Sequence, residues 1–299
     1  MRLAREFAVL GLAAAACVAR GAQQPLLRVV TLSTVLSEVA REVGAGHVSV
    51  AGLVHPGVDP HTFNPSPADI RAVADAQVVL ASGLSLETYL DRLVAASGSG
   101  GDVVAVGDAL PAAFAMPGAP GGGETDPHWW HSLDCMVAAT DIVRAEFARA
   151  RPASAADFLA NAEGYKARLG KLKAWADAEI GRLPPNRRHL VTSHDAFGYL
   201  ARDYGFEVHA ISGLSTDSEA DARHLAGLID LIRREGIPAV FAEDSANPRL
   251  VENLVRETGV RLGATLYADG LGPPGSGAET FDSMYRHNVR AIVGALSAR

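Results

Sequence analysis

The sequence predicts an α/β protein of two lobes with parallel sheets, joined by one long connecting helix. Three observations carry this. Apolar strand patterns alternate with helical ones from Leu26 to Ala150. One apolar stripe at helical spacing then runs from Phe158 to Ala176. The strand–helix alternation resumes at His189 and continues to Leu296. Strands separated by helices of this length form right-handed βαβ units with parallel strands.

In order, Leu26–Ser33 reads as a strand and Val35–Val43 as a helix, with Thr34 as its N-cap. A strand over 47–54, a helix over 67–76, a strand over Gln77–Gly83, a helix over 86–96 and a strand over Asp102–Val106 follow. Pro111–Thr125 (PAAFAMPGAPGGGET) has the composition of a flexible loop. Leu133–Ala150 is helical and closes the first lobe. From Ala153 to Leu183, residues Phe158, Ala162, Tyr165, Leu169, Leu172 and Ala176 alternate spacings of four and three. Pro152 suits the first turn of this helix, and Pro184-Pro185 end it. At 1.5 Å per residue it spans roughly 45 Å, enough to run beside both lobes. A coiled-coil dimer is the competing reading, but the stripe lasts under four heptads and lacks β-branched residues.

The second lobe pairs a strand with a helix three times: His189–Ser193 with Asp195–Tyr204, Phe206–Ile211 with Glu219–Arg234, and Pro238–Ala242 with Pro248–Thr258. A strand over Arg261–Leu266 and a helix over Thr280–Leu296 end it. Both lobes are therefore expected to be Rossmann-like, around a hinge and a cleft, although no sequence repeat relates them. The divisions are 1–22, 23–151 for the first lobe, 152–184 for the connector and 185–299 for the second lobe.

Residues 1–22 read as a signal peptide. Arg2 and Arg5 precede an apolar run from Phe7 to Ala19, too short for a membrane span. Cleavage after Ala19-Arg20-Gly21 is favoured over lipidation at Cys17, because no Leu stands three residues before that Cys. The expected location is periplasmic. The first 22 residues hold three Arg and one Glu, so removing them takes the formal charge from −7 to −9. That argues against nucleic acid and anionic membrane as partners. Cys135 would then stand alone, as an inert buried thiol on a helix face. The 48% hydrophobic fraction is ample for sizeable cores.

The chemistry concentrates at a few loops. His55–Pro67 (HPGVDPHTFNPSP) holds four prolines and one glycine in thirteen residues and follows a strand. In open α/β sheets ligands bind at that edge. Asp59-Pro60-His61 lies within it, and the same tripeptide returns as Asp126-Pro127-His128 before Trp129-Trp130-His131. His194 follows the strand from His189, and Asp269 follows the last strand. If both sheets point their C-terminal edges at the cleft, His61, His128, His194 and Asp269 converge. Three imidazoles and a carboxylate suit a borderline-soft divalent ion, Zn²⁺ first. Four protein donors leave no position for substrate, which describes a carried or structural ion and no enzyme. His131 is assigned to the rim or to a supporting role. His47, His55, His189, His209, His224 and His287 read as structural or surface groups.

The chain resembles the zinc/manganese class of solute-binding proteins of bacterial ABC transporters (the metal-binding cluster A-I family). The resemblance rests on Gly57-Val-Asp-Pro-His61-Thr-Phe-Asn-Pro-Ser-Pro67, Asp126-Pro-His128-Trp-Trp, Thr192-Ser-His194-Asp-Ala-Phe-Gly-Tyr199-Leu and Leu266-Tyr-Ala-Asp269-Gly-Leu. Gly213-Leu-Ser-Thr-Asp-Ser-Glu219 and Thr280-Phe-Asp-Ser-Met-Tyr-Arg-His-Asn288 extend it over nearly the whole mature chain. It implies two α/β lobes on one long rigid helix, and an ion held between them by His61, His128, His194 and Asp269. It further implies uptake of that ion through an inner-membrane ABC permease, by a monomer. A periplasmic metallochaperone is a candidate second partner.

Two departures stand out. Many zinc-specific members carry a His- and acid-rich loop before the second Asp-Pro-His, whereas Pro111–Thr125 has no His and one acid, Glu124. Many manganese members have Glu at the third ligand position, which here is His194, and the extra imidazole moves preference towards Zn²⁺. Mn²⁺ is kept as the alternative cargo, and a surface adhesin of the same fold as an alternative role. A zinc hydrolase is disfavoured by the lack of His-Glu-x-x-His and Gly-x-Ser-x-Gly. The spare carboxylates Glu243-Asp244 are assigned to capping the helix near Pro248.

Overall fold

The computed structural model describes residues 25–118, 125–217 and 221–297. The expected signal peptide with Cys17, Glu219 and Gly121, Gly122 and Gly123 of the Pro111–Thr125 loop lie outside these residues. The first lobe is a four-stranded parallel sheet in the order β2-β1-β3-β4, formed by β1 (Leu27–Thr31), β2 (Val48–Gly52), β3 (Val78–Ala81) and β4 (Asp102–Ala105). Helices α1 (Thr34–Gly44), α2 (Pro67–Asp75), α3 (Leu90–Ser97) and α4 (Leu133–Ala150) surround it.

Successive side chains of a strand point to opposite faces, and the sequence uses both. Leu27, Val29, Val78 and Leu80 face one core with α1 and α4. Val30, Leu32, Val79 and Ala81 face another with Val73 of α2 and Leu93 of α3. A sheet covered on both faces needs such near-continuous apolar strands.

The connector is α5 (Ala155–Ile180), entered through a 3₁₀ turn at Pro152–Ser154. Its 26 residues span about 39 Å. All six residues of the expected stripe are buried, with Ile180 continuing it. The helix packs on α1 and α4 of the first lobe and on α9 (Phe281–Ser297) of the second.

The second lobe holds β5 (His189–Thr192) paired with β6 (Glu207–Ala210), and β7 (Ala239–Val240) paired with β8 (Arg261–Leu262). The Phe241 N–H donates to Val191 O at 2.9 Å, which joins the pairs in the order β6-β5-β7-β8. That is the first lobe's order, in a chain with no detectable internal repeat. Helices α6 (Gly198–Tyr204), α7 (Ala222–Glu235) and α8 (Pro248–Thr258) complete it. Among the described residues, no helix is long and apolar enough to cross a membrane.

Departures from the expected elements have local causes. The N-cap of α1 is Ser33, whose hydroxyl accepts from Leu36 N, while the Thr34 hydroxyl accepts from Leu271 N of the second lobe. Helix α3 starts at Leu90 and not 86, because Glu87 turns back to accept the N–H groups of Ser82 and Gly83 at 2.7 and 3.0 Å. Helix α6 starts at Gly198 and not Asp195, because residues 194–197 form the loop that presents His194. Strand β8 stops at Leu262, with pairing resumed only at a Glu243–Leu266 bridge. In the Pro111–Thr125 loop, Pro117 pairs with Thr125, and Phe114 and Met116 pack on the main core, so its described ends are anchored.

Candidate metal centre

Each of the four candidate donors follows a strand or a proline-stiffened turn. The loop after β2 carries Asp59, whose carboxylate accepts the His61 N–H at 2.8 Å and so fixes the turn. Ser66 and Asp69 then form a capping box that starts α2. Asp126 repeats the device, accepting the His128 N–H at 2.9 Å. His194 follows β5, and Asp269 follows the bridge at Leu266.

The structure brings all four together. The Asp269 Oδ1 lies 3.5 Å from Nε2 of His61, 3.5 Å from Nε2 of His128 and 3.3 Å from Nε2 of His194. The Nε2 atoms of His61 and His128 are 3.3 Å apart, and all four donor atoms lie within 4.8 Å of one another. Ligands at about 2.05 Å around a tetrahedral ion are separated by about 3.3 Å, so these edges match a four-coordinate zinc-sized ion. The centre is buried and opens only at one edge: His61 is 9% exposed, and the other three are more deeply buried.

Tautomers follow from the surrounding acceptors. A carboxylate can only accept, so the His128 Nδ1, 2.8 Å from Asp126 Oδ1, carries the proton and leaves Nε2 bare. His194 Nδ1 is held in the same way by the Glu243 carboxylate, leaving its Nε2 bare. Glu243 also accepts the N–H groups of Ser193 and His194 at 3.0 and 3.3 Å. Its expected capping role is therefore wrong: Asn247 caps α8, and Glu243 is the buried partner of His194. Carboxylate–imidazole pairs of this kind orient metal ligands and raise their basicity. The Ser245 hydroxyl donates to Asp269 Oδ2, so Oδ1 alone faces the imidazoles.

Electrostatics sharpen the picture. Burial disfavours charge on His194, but Glu243 and Asp269 outweigh it and hold the imidazole well above its ordinary range. Burial likewise lowers His128, yet Asp126 and Asp269 raise it overall. Burial raises Asp269, and the facing His194, His128 and His61 hold it well below the usual carboxylate range. The site thus attracts positive charge, and protons compete for it.

His131 does not reach the donor cluster. Its Nε2 donates to Ala268 O at 2.9 Å, beside the Trp130 indole N–H on the same oxygen at 2.9 Å. Burial, with His128 nearby, pushes His131 down to about 4, so it is neutral. These two donors come from the first lobe, as does the Thr34 hydroxyl, which accepts the Leu271 N–H at 2.8 Å. Residues 268–271 follow the second sheet in sequence but are fastened to the first lobe. Asp269 is therefore held from both lobes, its flanking backbone by the first and its Oδ2 by Ser245 of the second, while His194 is held within the second lobe by Glu243. Sequence reasoning missed Asp126 and Glu243 as orienting groups. The Asp-Pro-His repeat signalled Asp126, while nothing local pointed from Glu243 to a histidine 49 residues away.

The two-lobed fold and the three-imidazole, one-carboxylate cluster between the lobes define a metal-binding solute-binding protein of an ABC transporter. The chain belongs to the family described as ZnuA, zinc-uptake complex component A, periplasmic, which it matches over residues 29–295. It is 38% identical to the manganese-binding lipoprotein MntA of Bacillus subtilis (strain 168) over 276 residues, 90% of each chain. It is 33% identical to the zinc-binding protein TroA of Treponema pallidum (strain Nichols) over 274 residues, 90% of this chain and 88% of that one. The solved structure of the Treponema pallidum periplasmic zinc-binding protein TroA superposes with a TM-score of 0.87, at 32% identity, covering 92% of this chain and all of the other.

Proposed function

We propose that this protein captures Zn²⁺ outside the cytoplasm through His61, His128, His194 and Asp269 and delivers it to an ABC permease for uptake. One observation carries this reading. Three imidazole nitrogens and a carboxylate oxygen face one another at 3.3–3.5 Å, with His194 Nε2 and Asp269 Oδ1 buried and without hydrogen-bond partners. Acceptors gathered in this way are stable only around a cation or shared protons. The choice of zinc rests on coordination. Mn²⁺ favours oxygen and six-fold geometry, whereas three nitrogens dominate here and Ser245 occupies the second oxygen of Asp269. Four protein donors complete a tetrahedron, which supports a carrier and not a hydrolase.

The manganese reading keeps one argument in its favour, the name of the 38% identical Bacillus subtilis relative. Elemental analysis of the protein purified from its native compartment without added metal separates the two. Zinc at one equivalent in the cleft supports the proposal, manganese replaces it, and a chain that binds neither overturns both. The same relative is a lipoprotein, so the preference for ordinary cleavage over lipidation is not borne out, and Cys17 is assigned as the lipid attachment site. The intact mass of the mature chain tests this: an acylated Cys17 supports it, and a free N-terminus at Ala22 refutes it. The lobes are assigned to 23–151 and 185–299, with 152–184 as connector.

A further inference from the structure

We propose that His189, Glu207 and His209 form a second, surface site for a divalent ion of the zinc–copper–nickel class, at the opposite end of β5 from the cleft. Among the described residues, these three and the cleft donors are the two groups in which at least three His, Cys, Asp or Glu donor atoms lie within 4.8 Å of one another. The sequence reading assigned both histidines to structural or surface roles.

The parallel ladder builds this site. His189 opens β5 and stands in register with Glu207, which opens β6. His209 is two residues further along β6, so it shares a face with Glu207. His189 Nδ1 lies 3.3 Å from His209 Nε2 and 3.4 Å from Glu207 Oε2, and His209 Nε2 is 3.9 Å from that oxygen. Two of these edges equal those of a tetrahedral ion, about 3.3 Å. The third closes with a small swing of Glu207, whose side chain is 71% exposed.

The two imidazoles are far more enclosed and stack at 18° with centroids 5.6 Å apart, so their nitrogens are pre-positioned. The backbone beneath them is braced. The Arg188 guanidinium donates to Leu183 O and Tyr204 O, and the Glu207 N–H donates to Arg188 O at 2.8 Å.

The donor set determines the chemistry. Two imidazoles and one carboxylate suit zinc, copper or nickel and not calcium or magnesium. Three protein donors leave the fourth position facing solvent, so this ion exchanges readily and binds more weakly than one enclosed by four. His189 opens the four-residue strand β5 and His194 lies two residues beyond its other end, more than about 10 Å away, so the two sites are distinct.

The test is calorimetric titration of zinc sulfate into the full mature chain, with Glu207→Gln, His209→Ala and His194→Ala alongside. The expected parent behaviour is one tight equivalent and a second, weaker one. Glu207→Gln and His209→Ala should each weaken the second by about tenfold or more and keep the first. His194→Ala should lose the tight equivalent and keep the weak one, which separates this site from the cleft. A parent with no second equivalent overturns the proposal, as does a second equivalent unchanged in Glu207→Gln. Because Glu207 is exposed, that variant carries the test even if His209→Ala fails to fold.

Discussion

Asp59-Pro60-His61 and Asp126-Pro127-His128 are the same tripeptide in two loops of the first lobe, and in both the aspartate accepts the N–H of its histidine. Beyond that shared turn they diverge. Asp126 is buried and also holds the His128 imidazole, so one carboxylate fixes loop and ring together. Asp59 leaves its imidazole alone and takes the hydroxyls of Thr62 and Thr216, the latter from the second lobe. His128 is wholly enclosed, while His61 stands at the edge of the site. A repeated motif thus repeats a backbone shape, and burial decides whether its acid orients a ligand or ties two lobes together.

The strongest way to break this comparison is to remove the rings. His128→Ala should lower zinc affinity by more than about 100-fold, beyond the effect of disturbing a supporting group. His61→Ala should cost less, because water can reach the vacated position at the edge. Competition titration against a chelator ranks them, and equal losses would mean the two loops are equivalent. Next come the acids. Asp126→Asn should cost about 10–100-fold in affinity by freeing the imidazole. Asp59→Asn should leave equilibrium affinity within a few-fold but speed zinc release, since it loosens the Thr216 tie. Stopped-flow transfer to a chelator separates rate from affinity, and unchanged release from Asp59→Asn would refute the tie.

A gentler perturbation is pH. In the metal-free chain His128 and His194 hold protons above the ordinary imidazole range, and zinc requires them neutral. Zinc binding should therefore be full above that range and weaken as pH falls, beginning above about 6.5. Affinity that stays flat from pH ~8 to ~5.5 would remove imidazole ligation. The smallest effect is expected from deleting residues 118–123, which supply no donor. Zinc affinity should stay within a few-fold, and a hundredfold loss would reveal a ligand in that loop.

Much of this was readable from local signals. Helices α4 and α8 begin and end where sequence placed them, because Ser132 caps the first, while Asn247 and Pro248 open the second and Gly259 closes it. The four donors stood out because each follows a strand or sits beside a proline. Partners distant in sequence were not readable. Glu243 meets His194 only because β5 and β7 lie side by side, and His189 meets His209 only through register. The helix start at Leu90 was lost for a similar reason: Glu87 looks helical in sequence but is drawn back to the end of β3.

The connector has a thermodynamic consequence. One apolar cluster runs from Leu27 and Val29 through Phe158, Leu169 and Ile180 of α5 to Leu190, Phe241 and Tyr285. Neither lobe can expose its side of α5 without also baring apolar surface that the other buries. The described chain should therefore melt in a single calorimetric transition despite its two sheets, with equal calorimetric and van't Hoff enthalpies. Bound zinc should then lift the whole transition, by about 4 kcal/mol when free zinc is 1,000 times the dissociation constant. A cargo that touches four side chains would report its presence through the stability of the entire molecule.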